Sequence, residues 1–176
     1  MDQKPTVLFV HGAWHTNEGF AQVQNYLSDA GYGIKNVQLP SSTPNGPYVQ
    51  GIDEDVEVVR NALNDVVETE SDIILVVHSY GGIVGSSAAK GFWKKQRREK
   101  DKDGGIVHMV FISAVALDEG VSVKDGIGGK LPPWLTIHVH ILLWLGRQTA
   151  NACTGRELIH DISRECARDL LQRSIG

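Results

Sequence analysis

The apolar positions of this chain change their period several times before residue 120, and each change marks an element. "TVLFVHG" is a short β-branched run closed by glycine, the pattern of a strand. In "NEGFAQVQNYLSDAGYG", Phe20, Val23 and Leu27 recur at helical spacing and Gly31 stands where a C-cap belongs, so a loop and a helix are predicted next. "GIKNVQLP" reads as a second strand, ended by the turn-forming "SSTPNGP". From about Asp53, the residues Val56, Val59, Leu63, Val66 and Val67 share one helical face, and acids crowd the first turn, where the helix dipole favours them. "DIILVVHS" is apolar on both faces, which suits a parallel strand covered by helices on each side. Another helix separates it from "GIVHMVFISAV", the fourth strand. Four alternations of strand and helix predict an α/β protein, a three-layer αβα sandwich around a mostly parallel sheet with right-handed crossovers.

After "ALDEG" the rhythm is lost. "VSVKDGIGGKLPPW" is loop-like, "LTIHVHILLWLG" is a compact apolar stretch and "ISRECARDLLQRS" has the pattern of a terminal helix. The chain's 176 residues suit one domain, with residues 1–120 as its core and 121–176 as a cap-like or irregular segment of the same domain. The charged run "KKQRREKDKDGG" interleaves acids with its bases and is expected to be a solvated helix end and loop.

Seventeen basic and twenty-one acidic residues give a net charge of −4, without the sustained basic face that nucleic acid requires. The N-terminal "MDQKPTVLFV" lacks the layout of a signal peptide, and "IHVHILLWLG" is about half of what a membrane span needs. A cytoplasmic protein without nucleic-acid or membrane partners is therefore expected. Cys153 and Cys166 match no zinc or CxxC spacing and read as free thiols.

The candidate chemistry centres on "IILVVHSYGGIVGSSAA". A serine hydroxyl is a poor nucleophile in water; an enzyme that uses one must expose it, supply a base and stabilise the oxyanion. An apolar strand, then Ser79, then Gly81 and Gly82 opening a helix is the context of a nucleophile elbow, the strained strand-to-helix turn that lifts a serine out of the sheet. Val77 stands two residues before the serine, where the G-x-S-x-G pattern has glycine. The first strand runs into His11-Gly12-Ala13-Trp14. With "HGAW" and "HSYGG" in this order within a βαβ pattern, residues 5 to about 120 resemble the α/β-hydrolase superfamily, especially its small cofactor-free esterase and hydroxynitrile-lyase-like branch and microbial relatives.

The resemblance implies that the backbone N–H groups of Ala13 and Tyr80 form the oxyanion hole and that no cofactor is needed. It also implies a triad in the order serine, acid, histidine. Asp118, just past the fourth strand, is the candidate acid. His138, His140 and His160 follow the serine, but none sits in a recognisable strand-then-histidine ending. The chain thus reads as a partial hydrolase fold that lacks the last strands and stops in the cap region. The expected activity is hydrolysis of a small ester or lactone. A lyase or isomerase on the same scaffold, and a catalytically impaired protein that binds a small molecule or a partner, remain open. The outer edge of the fourth strand is expected to pair with a second copy, giving a homodimer, or to aggregate.

Other uses of these residues are weaker. Ser79 could serve only as a helix N-cap. His78 points to the opposite side of an extended strand from its neighbour. The pairs His11/His15 and His138/His140 have no carboxylate or thiolate cluster beside them, so no metal is expected. "GIGGK" lacks the following Ser or Thr of a phosphate loop.

Overall fold

The computed structural model describes residues 4–43, 51–126 and 128–130. Its strands are β1 (Thr6–Val10), β2 (Gly33–Asn36), β3 (Asp72–His78) and β4 (Gly105–Ile112). They form one sheet in the order β2-β1-β3-β4, with every pairing parallel. The helices are α1 (Ala21–Asp29), α2 (Asp53–Val67), α3 (Gly81–Ala88), α4 (Lys94–Arg98) and the single turn α5 (Val123–Gly126).

Strand alternation sorts the core into two layers. Leu8, Val10, Ile73, Leu75 and Val77 pack with Val59, Leu63 and Val67 of α2 and Val84 and Ala88 of α3. Val7, Phe9, Ile74 and Val76 face the other way, onto Val23 and Leu27 of α1. Both faces of β1 and β3 are thereby covered, for β3 as its apolar run predicted, and burying each such side chain is worth about 1.5–3 kcal/mol. The three-layer arrangement is the expected one.

Local chemistry sets the boundaries. Helix α1 ends in a Schellman motif, with Gly31 at φ +85°, its N–H donating to Ser28 O at 2.8 Å and Tyr32 N–H to Leu27 O at 3.0 Å. Strand β2 is shorter than "GIKNVQLP" suggested: it ends at Asn36, and the buried Val37 and Leu39 join the α2-side cluster. The basic run after α3 folds back on itself. Lys94 pairs with Asp72 at 2.6 Å, and the Arg97 guanidinium donates to the carbonyls of Gly104 and Asp103.

Strand β4 is the outer strand. A bulge at Ile73/Ile74 shifts its register, so that Ile73 faces Ile106 and Ile74 faces His108. Among the described residues its far side carries one parallel bridge, from Trp93 to Ile106, and His108 and Phe111 are exposed. Most of the expected cap-like segment, including His138, His140, His160, Cys153 and Cys166, lies outside the described residues.

Candidate active site

The C-terminal ends of β1 and β3 lie side by side, the place where parallel α/β sheets bind ligands. Ser79 follows β3 with φ +51°, a left-handed conformation that costs a non-glycine residue about 1–3 kcal/mol. The turn enforces it from several directions. Ser79 N–H donates to Ile112 O at 3.4 Å, and its carbonyl accepts from Gly82 N–H at 3.0 Å and Val115 N–H at 3.1 Å. A Cβ on Gly81 would lie 2.6 Å from Val10 O and 2.7 Å from His11 O. Only glycine lets α3 start this close to β1.

The HGAW loop comes equally close from the other side. A Cβ on Gly12 would lie 2.9 Å from both Ser79 Cβ and His78 Nδ1. Trp14 takes φ +61°, is 69% exposed, and donates its backbone N–H to Ser42 Oγ at 3.1 Å. Among the described residues, neither Ala13 N–H nor Tyr80 N–H donates to a protein acceptor.

Val77 fits because of a glycine the sequence pattern had not singled out. Its buried side chain lies against Gly85, where an added Cβ would come within 2.5 Å of Val77 Cγ1. Gly81 and Gly85 are four apart and share one face of α3. The second of them makes room for the β-branched residue before the serine.

Three histidines surround the turn. His11 is buried, accepts Leu39 N–H at Nε2 (3.1 Å) and donates from Nδ1 to Gly12 O (2.8 Å). Both ring nitrogens are engaged, and burial holds its pKa below the usual histidine value. His78 stacks edge-on against His15 at 5.3 Å and against Phe20 at 6.4 Å. Burial first, then the rings of His15 and His11, lower its pKa to about 4. His15 is fixed by a 2.8 Å bond from its Nδ1 to Ala13 O. Among the described residues no imidazole hydrogen-bonds to Ser79, and no group of three or more His, Cys, Asp or Glu could hold a metal.

Tyr80 points its phenol to Asp55 Oδ2 at 2.8 Å; burial and this bond raise its pKa, so it stays protonated. Asp55, one of the acids that crowd the first turn of α2, is fully buried at 0% exposure. Asp118 is exposed in the segment after β4, and among the described residues no hydrogen bond or ion pair joins its carboxylate to Ser79 or to a histidine. Nor is any helix there long and apolar enough to cross a membrane.

Residues 7–173 match the model of the Alpha/beta hydrolase family. The chain is 32% identical over 130 residues to the alpha/beta hydrolase nvfD of Aspergillus novofumigatus, covering 74% of this chain and 49% of that one. It is 29% identical over 130 residues to a carbendazim-hydrolyzing esterase of Nocardioides, covering 72% and 48%. Its fold superposes on the crystal structure of polyneuridine aldehyde esterase with a TM-score of 0.55 at 21% identity, covering 71% of this chain and 46% of that one. The chain spans about half the length of the relatives it matches.

Proposed function

Because the chain belongs to the Alpha/beta hydrolase family, we propose that it is a serine-dependent hydrolase of a small carboxylic ester or lactone, with Ser79 as nucleophile. The observation that carries this reading is the double approach at the turn: Gly81 against the Val10 and His11 carbonyls, and Gly12 against Ser79. These approaches bring the HGAW loop and the turn at Ser79 together, which supports Ala13 and Tyr80 N–H as the donors to an oxyanion formed at Ser79. The esterase name of the Nocardioides relative supports the substrate class.

In the proposed reaction Ser79 Oγ bonds to the carbonyl carbon, and the carbonyl electron pair moves onto oxygen. Ala13 and Tyr80 N–H donate to that oxyanion, the kind of preorganised contact that lowers such barriers most. Collapse of the adduct breaks the bond to the alcohol, which leaves with the proton given up by Oγ. Water then attacks the acyl-serine by the same steps, releasing the acid and restoring Ser79. His138, His140 and His160, outside the described residues, are the candidates to carry the proton, with Asp118 the candidate to orient one of them.

The test is a panel of ester and lactone substrates with the wild type and Ser79→Ala. The proposal expects hydrolysis of at least one member, lowered by on the order of 10³ or more in the variant. Turnover that survives the substitution would remove Ser79 from the reaction. Cleavage of a carbon–carbon bond in a carbonyl adduct, with no ester hydrolysed, would turn the reading to a lyase.

A further inference from the structure

The buried carboxylate of Asp55 has no part in the reaction written above, yet it touches both sides of the turn. Its Oδ2 accepts the Tyr80 phenol at 2.8 Å and its Oδ1 accepts Ser41 N–H at 3.0 Å. Ser41 belongs to the short 3₁₀ turn Pro40–Ser42, and that turn holds the HGAW loop. Ser42 Oγ accepts Trp14 N–H at 3.1 Å, and Leu39, just before the turn, donates its N–H to His11 Nε2 at 3.1 Å. Thr43 Oγ1 closes the turn on Leu39 O at 3.0 Å. Ala13 is thus fixed through His11 before it and Trp14 after it, and both are held by a segment that one Asp55 oxygen holds. The other oxygen holds Tyr80.

A charge taken out of water is costly unless its oxygens are bonded. Here one bond falls on Tyr80, which carries one unengaged backbone donor, and the other on the 3₁₀ turn that holds the loop of Ala13, and the position in the first turn of α2 adds the favourable end of the helix dipole. We infer that Asp55 is a positioning residue that couples the two walls of the oxyanion hole, setting the Ala13 and Tyr80 N–H groups relative to each other. The inference rests on the hydrolase reading. Misplacement by about 1 Å of a group that must meet a reacting atom can cost about 10²-fold, so the coupling should be visible in the rate at which Ser79 reacts.

The experiment measures labelling of the full chain by a fluorophosphonate, in which the Ser79 Oγ–P bond forms, the P–F bond breaks and fluoride and a proton leave. The first-order labelling constant is separated from the probe's binding constant. Ala13→Pro, which removes one donor outright, sets the scale of full loss. Asp55→Asn keeps the shape but cannot accept from both donors; it should lower the labelling constant about tenfold to hundredfold and leave probe binding within about threefold. Tyr80→Phe should lower it less, and the double variant should fall no further than Asp55→Asn alone. Val59→Ala, a buried apolar change in the same helix, should leave the constant at the wild-type value at a temperature where it remains folded. Wild-type labelling rates in Asp55→Asn, or an equal loss in Val59→Ala, would overturn the inference. If the wild type itself does not label, the hydrolase reading fails, and amide resonances then decide the coupling. In Asp55→Asn those of Ala13, Trp14 and Tyr80 should move together, and movement of Tyr80 alone would overturn it.

Discussion

The ends of β3 and β4 are neighbours in the sheet, and both place a serine in the left-handed region, Ser79 at φ +51° and Ser113 at φ +41°. Their surroundings differ. Ser79 is held by three backbone hydrogen bonds, by Gly81 against two carbonyls and by Gly12 against its own Cβ. Beyond Ser113 the chain runs through half-exposed and exposed residues to Asp118, and among the described residues the outer side of β4 has a single bridge, at Ile106. Strain is a sign of function where the neighbouring structure enforces it from several directions. By that measure the described chain concentrates its constraint on Ser79 and the HGAW loop, the proposed nucleophile and oxyanion loop, and leaves the side of the proposed acid open.

The change with the largest expected effect attacks that constraint directly. Gly81→Val puts side-chain carbon onto the Val10 and His11 carbonyls; overpacking against backbone costs about 1–3 kcal/mol or more. Denaturant unfolding should show a loss at or above the top of that range, together with loss of Ser79 labelling. Unchanged stability would mean the turn is not built as described.

Next in size is the fit of Val77 to Gly85. Gly85→Ala should destabilise by about 1–3 kcal/mol despite alanine's better helix propensity. Val77→Ala combined with it should cost less than the sum of the two single changes, by about 1 kcal/mol or more in a double-mutant cycle. Strict additivity would show that the glycine does not accommodate the valine.

A smaller effect depends on pH. The folded state holds His78 at a pKa of about 4, whereas the unfolded chain takes up the proton near 6.5. The stability tied to neutral His78 is complete above pH 6.5 and is lost as pH falls from there to about 4. His78→Phe, which keeps a ring against His15 and Phe20, should therefore lose less stability than the wild type between pH 7 and pH 5. Equal losses in urea unfolding would count against a buried neutral His78. The mildest prediction concerns the open side of β4: sedimentation should show a dimer, weakened by Phe111→Lys, which charges a ring that is 43% exposed. A stable wild-type monomer would show that this edge is not used for pairing.

Much of this was legible along the chain. The unbroken apolar run of β3 reported a strand covered on both faces, helical spacing placed α1 and α2, and two short glycine-containing motifs located the turn at Ser79. Hidden from that view was what depends on distant partners. An aspartate in a first helical turn already has a satisfactory solvated explanation in the helix dipole, and nothing local pairs Asp55 with Tyr80 twenty-five positions away. The fit of Val77 had a trace in the sequence, since Gly81 and Gly85 stand one helical turn apart, but its meaning needed the strand to be in place. Asp118 was chosen by resemblance alone, and the described structure leaves it exposed.

The central claim, that the crowded turn after β3 exists to present one reactive serine, is tested most directly by mapping the fluorophosphonate adduct. After incubation with the probe and proteolysis, mass spectrometry should place the phosphonyl group on Ser79, with no adduct in Ser79→Ala. An adduct on another serine, or none in the folded wild-type protein, would contradict the account.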